Sequence, residues 1–241
     1  MRNIVLADYN ALGRRAADIV CAALQRKPDL LFCASAGSTP TGLYEELATR
    51  YSRRPKLFSK MRVLQVDEWF GLPRSNPASC EIDLLSKLVV PLRIATNRFI
   101  GFRTDAPDPE RDCARIAAWL DQNAPIDICI LGLGLNGHVA MNEPGPKLYP
   151  HAHVARLTRS SLQHTMLSEL PGKPTRGLTL GLADILASRA VLLLVNGRHK
   201  RAALERTLSC EISTQFPASF LWLHPNTTVL CDRAAWPYRS A

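Results

Sequence analysis

Ile126-Asp127-Ile128-Cys129-Ile130-Leu131-Gly132-Leu133-Gly134-Leu135-Asn136-Gly137-His138-Val139-Ala140-Met141-Asn142-Glu143-Pro144 is the stretch on which the reading of this chain turns. Its first part, Ile126 to Leu131, is an apolar run of strand length. Gly132, Gly134 and Gly137 then free the backbone to turn sharply and to approach a ligand closely. His138 and Glu143 follow, so one loop offers both a cradle and acid–base chemistry. A hydrophobic core requires none of this. The loop reads as the active site.

Outward from this loop, strand and helix signals alternate with short connectors. The strand candidates are Asn3–Ala7, Asp29–Ala34, Met61–Val66, Ile126–Leu131, Leu178–Leu180, Ala190–Asn196 and Thr227–Cys231. The helix candidates are Ala11–Gln25, Thr41–Arg50, Cys80–Leu88, Pro109–Asn123, Arg159–Leu170, Leu182–Ala187 and Arg198–Ser209. Such alternation predicts an α/β fold, modified Rossmann-like, with a mainly parallel sheet and helices on both faces. A length of 241 residues suits one domain over 1–241, with no visible internal boundary. The stretches Pro144–Pro150 and Pro171–Pro174 bracket a polar helix, so residues 145–175 read as a lid.

Hydrophobic residues make up 46% and charged residues 21%, which describes an ordinary globule. The longest apolar run, Ala190 to Val195, is far too short to span a membrane. The opening residues read as a first strand rather than a signal peptide. Seven cysteines form no C-x-x-C pair, which predicts reduced, mostly buried thiols and a cytoplasmic protein. A net charge of +9 invites a nucleic-acid reading. The basic residues are scattered apart from Arg50 to Lys56, however, and no nucleic-acid motif accompanies them. A solvated basic face that also favours an anionic small ligand accounts for the charge.

In open parallel sheets, ligands sit beyond the carboxyl ends of strands. Ser35–Thr39, Asp67–Pro73, Gly132–Glu143 and Gly197–Lys200 all follow predicted strands and are expected to share one rim. In Ser35-Ala36-Gly37-Ser38-Thr39-Pro40, small residues can turn backbone N–H groups and hydroxyls towards an anion at a helix N-terminus. The same residues also fit an ordinary turn with Ser38 or Thr39 as N-cap. Adjacent Asp67 and Glu68 point to opposite sides of an extended chain, so one can enter a site while the other bonds backbone. Gly132-x-Gly134-x-x-Gly137 matches the dinucleotide fingerprint, but no acid stands between Pro144 and Ser168 to hold a ribose. Nicotinamide and flavin are therefore excluded. Lys200, beside Gly197 on the same rim, is a candidate phosphate ligand against the default of a surface lysine.

Taken together, Ala36–Pro40, Val66–Pro73 with Pro77 and Ser79, Leu131–Pro144 and Leu223-His224-Pro225 resemble the amino-sugar-6-phosphate deaminase/isomerase family. That family shares its fold with 6-phosphogluconolactonases, and the resemblance covers nearly the whole chain. The Asn142-Glu143-Pro144 ending and Trp69 after the acidic pair look like the deaminases. Thr175–Leu186 and Ile212–His224 look most like galactosamine-6-phosphate deaminase/isomerases. The resemblance implies Asp67 as the base moving a proton between C2 and C1, His138 as the aid to ring opening, and Glu143 as its orienting partner. It implies Gly37, Ser38, Thr39 and Lys200 as phosphate ligands, with no cofactor and no metal.

Two departures stand out. Asn136 occupies a position where many deaminases have aspartate; it can hydrogen-bond the imidazole but cannot stabilise imidazolium by charge. The lid helix also lacks a match to the family's phosphate-binding arginine, for which Arg176 and His164 are the substitutes on offer. The expected partner is a small hexosamine phosphate, with no nucleic acid and no membrane, and the oligomeric state stays open. The expected product of galactosamine 6-phosphate is tagatose 6-phosphate with ammonia. Glucosamine-6-phosphate deamination, lactone hydrolysis and non-catalytic sugar-phosphate sensing are the alternatives. Against sensing stand the Asp67, His138 and Glu143 set and an expected start on a strand instead of a DNA-binding helix pair.

Overall fold

The computed structural model describes residues 1–238. In chain order the strands are β1 (Arg2–Leu6), β2 (Leu31–Ala34), β3 (Arg62–Gln65), β4 (Asp67–Phe70), β5 (Phe99–Ile100), β6 (Ile128–Gly132), β7 (His153–Arg156), β8 (Arg176–Thr179), β9 (Val191–Val195) and β10 (Thr227–Asp232). The helices are α1 (Tyr9–Arg26), α2 (Ser38–Arg53), α3 (Cys80–Leu84), α4 (Pro109–Asn123), α5 (Arg159–Leu162), α6 (Leu182–Leu186) and α7 (Arg201–Leu208). Seven strands form one sheet in the order β1-β10-β9-β6-β2-β3-β5. Every pairing within it is parallel, as the alternation predicts.

Central strands are apolar on both sides because both sides are covered. On β6, Ile128 and Ile130 join the core beneath α1 and α2, while Cys129 and Leu131 join the core beneath α4, α6 and α7. On β9, Leu192 and Leu194 face the first core, and Val191, Leu193 and Val195 the second. The helices start where capping chemistry directs. The Asp8 carboxylate accepts the Ala11 N–H at 2.7 Å to open α1, and Asp108, followed by Pro109, does the same for α4.

Strands β2 and β6 are neighbours, yet the chain leaves β2 through α2 on one face and reaches β6 from α4 on the other. This is a topological switch point, where connections diverge and leave a crevice at the carboxyl ends. The loops after β2 and β6 are the glycine-bearing stretches singled out above.

Two expectations need correction. Leu178–Leu180 does not extend the main sheet; its segment forms β8 in a second, antiparallel sheet ordered β4-β8-β7. The two flanking strands, Asp-Glu-Trp-Phe in β4 and His-Val-Ala-Arg in β7, lack a clean apolar alternation and exist because β8 supplies the partner. Arg159–Leu170 is not one helix: α5 ends at Leu162 and a 3-10 turn occupies Thr165–Leu167. Between them His164 is extended (φ −59°, ψ 139°), and its Nδ1 accepts the Met166 N–H at 3.3 Å, capping the second turn. The seven cysteines are free thiols, all buried except Cys210.

Candidate active site

A cavity of about 370 Å³ opens at the switch point. Ser35–Pro40 forms one wall, Asp67 and Trp69 another, Gly132–Leu135 with His138 the floor, and Asn196, His199 and Lys200 the far side. Residues 160–161 and 163–166 close the remaining side. The structure thus brings Gly37, Ser38, Thr39, Asp67, His138 and Lys200 around one space. Glu143 and Asn136 lie behind His138 rather than on the cavity.

Strand β4 separates the two adjacent carboxylates. Glu68 is fully buried and its oxygens accept the backbone N–H groups of Trp69 (2.7 Å), Cys80 (2.9 Å) and Glu81 (2.7 Å), plus the Gln65 amide (2.9 Å). It fastens β4 to the start of α3. Asp67, one residue earlier, points the other way and lines the cavity. Loss of water around Asp67, reinforced by the neighbouring Glu68 charge, pushes its pKa up to about 7. A carboxyl poised near neutrality suits proton abstraction and return.

His138 rests directly on the Gly134 backbone, where a Cβ would fall 2.5 Å from the ring's Cγ, so only glycine admits it. Behind it, Nδ1 lies 3.2 Å from the Ser161 hydroxyl and 3.5 Å from Glu143 Oε2. Glu143 accepts from the Asn136 amide (3.0 Å), the Thr158 hydroxyl (3.0 Å) and the Ser161 hydroxyl. Burial would raise the Glu143 carboxyl, but the adjacent His138, then the Ser161 and Asn136 donors, outweigh it and hold its pKa at about 2. Glu143 is a permanent anion at neutral pH.

Asn136 does not meet the imidazole as expected. Its amide nitrogen bonds Glu143 and the Thr158 hydroxyl (3.1 Å), and its carbonyl accepts the His138 backbone N–H at 3.1 Å. An amide can donate to Glu143, whereas an ionised acid there would oppose it. Asn136 therefore stabilises the anion, not the ring.

The anion cradle has mixed character. Gly37 adopts φ +102°, which favours glycine, and precedes the first turn of α2. Its N–H is already engaged by the Asp83 carboxylate at 3.0 Å, which leaves the side chains and amides of Ser38 and Thr39 as the candidate donors on this wall. Lys200 Nζ donates to the Leu133 carbonyl at 2.7 Å, which aims the ammonium along the floor; burial lowers its pKa. His164 stacks at a tilt on Trp69, ring centroids 5.7 Å apart, and its Nε2 lies 3.6 Å from where a Gly37 Cβ would stand. Burial, then the fields of His138 and Lys200, lower its pKa against an opposing Asp83.

Arg176, the other substitute offered, is outside the cavity. It pairs with Phe70 across β4 and β8, and its guanidinium sits 4.8 Å over that ring. The strand's alternation turns it away from the site. His224 of the Leu-His-Pro motif is structural: it is buried, with Nε2 2.7 Å from the Ser188 carbonyl. Sequence reasoning missed Thr158 and Ser161, whose only local signal is the Thr-x-x-Ser spacing at the start of α5.

A family model described as glucosamine-6-phosphate isomerases/6-phosphogluconolactonase matches residues 7–231. AgaI of Escherichia coli (strain K12), provisionally named a deaminase, is 39% identical over 93% of this chain and 89% of its own length. A glucosamine-6-phosphate deaminase of Clostridioides difficile (strain 630) is 31% identical over 98% of this chain and 95% of its own. Among solved structures, a monomeric glucosamine-6-phosphate deaminase of the NagB superfamily superposes with a TM-score of 0.92 at 31% identity, covering 98% of both chains. A 6-phosphogluconolactonase from Leishmania guyanensis shares the fold, with a TM-score of 0.79 at 19% identity over 100% of this chain and 99% of that one.

Proposed function

The chain belongs to the family of glucosamine-6-phosphate isomerases and 6-phosphogluconolactonases, and within it we propose an amino-sugar-phosphate deaminase that converts galactosamine 6-phosphate to tagatose 6-phosphate and ammonia. One observation carries this reading. A carboxyl with pKa near 7, an imidazole backed by a buried anion, and a wall of small hydroxyl residues facing a lysine all serve a single cavity.

His138 assists opening of the sugar ring, which exposes a C1 carbonyl and so acidifies the C2 proton. Asp67 abstracts that proton, and the electron pair moves towards the carbonyl oxygen, where donors on the rim stabilise it. Asp67 returns the proton to C1 while the nitrogen lone pair forms an imine at C2, and the C1 oxygen takes up the proton that the substrate's ammonium group gives up. Water adds to the imine and ammonia departs, giving the ketose. Ser38, Thr39 and Lys200 grip the phosphate, with His164 facing the same cradle. That remote grip holds the reacting carbons against Asp67. Of the stretch 145–175 expected as a lid, residues 160–161 and 163–166 close one side of this space.

Asn142-Glu143-Pro144 after the histidine, and the likeness to proteins named as deaminases at 39% and 31% identity, favour deamination over lactone hydrolysis. Glucosamine 6-phosphate, giving fructose 6-phosphate, is the second reading, favoured by the names of the relatives at 31%. Steady-state ammonia release from both hexosamine phosphates separates the two. Asp67→Asn is expected to lower kcat by about 100-fold or more. Turnover surviving intact in that variant would sink the mechanism, and faster hydrolysis of 6-phosphogluconolactone than deamination would sink the class.

A further inference from the structure

The distance from His138 Nδ1 to Glu143 Oε2 is 3.5 Å, long for a direct hydrogen bond. The Ser161 hydroxyl stands between them, in contact with Nδ1 at 3.2 Å and with Glu143 Oε1. It is buried, at 4% exposure. An ionised carboxylate can only accept, so the single hydroxyl hydrogen goes to Glu143. The hydroxyl oxygen then has only lone pairs to offer the ring, and Nδ1 must be the nitrogen that carries a hydrogen.

We propose that Ser161 is a positioning residue that bridges Glu143 to His138 and holds the imidazole as the Nδ1–H tautomer, leaving Nε2 as the basic nitrogen for the substrate. Nε2 has no partner among the described residues, and His138 lines the cavity. The residue comes from the segment between β7 and β8, not from the loop that carries His138. Thr158, the N-cap of α5, grips the same carboxylate, while Ser160, Gln163 and His164 from the same turn line the cavity. The wall that meets the ligand and the group that sets the tautomer are thus one short piece of chain. A ligand that presses on this wall acts on the base through Ser161. The inference rests on the deaminase reading for its kinetic consequence, but the tautomer is independent of it.

Ser161→Ala, Ser161→Cys and Ser161→Thr in the full chain test the proposal. Ser161→Cys keeps the volume but offers only a weak donor, and Ser161→Thr keeps the hydroxyl. With hexosamine 6-phosphate, Ala and Cys are expected to lose about 10- to 100-fold in kcat with KM within about twofold, while Thr retains most activity. Nitrogen-15 NMR of His138 in the ligand-free protein should show the Nδ1–H tautomer in wild type and Thr, and a mixture in Ala and Cys. An unchanged tautomer in Ala and Cys overturns the proposal, as does activity loss in Cys that Thr shares to the same degree. Wild type that releases no ammonia overturns the functional reading instead, and the NMR comparison still decides the role of Ser161.

Discussion

Asp67 and Glu143 show one residue class tuned in opposite directions by surroundings. Asp67 loses water, gains no compensating donor among the described side chains and feels Glu68, so its pKa climbs from 3.8 to about 7. Glu143 loses water too, but the adjacent His138 and the Ser161 and Asn136 donors bring it from 4.5 to about 2. The consequences for stability have opposite signs. Asp67 burdens the fold increasingly as pH rises from about 4 to about 7, whereas Glu143 supports it above about 4.5 and stops doing so as pH falls towards 2. The rate should therefore rise with pH on a limb centred near 7, where Asp67 becomes the free base. Asp67→Asn should remove that limb along with activity. It should also stabilise the protein at pH 8 by on the order of 1 kcal/mol, after discounting the linkage for solvent screening. Thermal unfolding at pH 8 checks the second point, and a lower Tm than wild type would contradict it.

Strand β4 is the element that makes the site. It leaves the main sheet after Val66, pairs with β8 instead, and presents Asp67 to the cavity with Glu68 to the protein. Glu68→Gln keeps the shape but turns an amide with one acceptor oxygen towards backbone N–H groups that both carboxylate oxygens had satisfied. Stability should drop by roughly 1–3 kcal/mol for the group left unpaired. Loss of the Glu68 charge should also lower the Asp67 pKa, moving the rising limb of the rate profile below about 7. Urea unfolding and the pH–rate profile read the two effects separately. A limb that stays in place would mean that desolvation alone sets Asp67. The position of β4 was not legible beforehand, because Asp-Glu-Trp-Phe carries no strand pattern of its own. The broken helix at residues 159–167 has a similar origin, since His164 ends one turn by capping the next.

At the scale of the molecule, the two ends of the sheet do different work. The carboxyl ends carry the cavity. At the opposite end Asp127, 6% exposed, accepts Lys27 Nζ at 2.7 Å and the Leu31 N–H at 2.8 Å and forms an ion pair with Arg189 Nε at 3.2 Å, tying α1, β2, β6 and the approach to β9 together. Asp127→Ala removes these ties and leaves the Leu31 N–H unpaired, a loss of about 2–4 kcal/mol. With the site at the other end, kcat and KM measured well below the new Tm should stay within about twofold of wild type. A matching fall in kcat would show that the two ends are coupled. The net charge of +9 belongs to this scale as well: it gives a long-range field favourable to anionic ligands, while Lys200 places a cation on the cavity wall.

The chain by itself determined the parallel sheet, its two covered faces, and the set of loops at its carboxyl edge. Burial on both sides writes continuous apolar runs, and caps and glycines mark where they end, so all of this is encoded within short windows. That Asp67, His138, Lys200 and the Gly37–Thr39 stretch would gather on one rim was likewise legible, because each lies in a segment that follows a strand of the main sheet. Tertiary structure alone decided their partners. It turned Asn136 from the imidazole to Glu143, removed Arg176 to Phe70, spent the Gly37 N–H on Asp83, and brought in Ser161 from 18 positions beyond Glu143. Each of these depends on which distant atom reaches a polar group first once water is excluded, and no local periodicity carries that information.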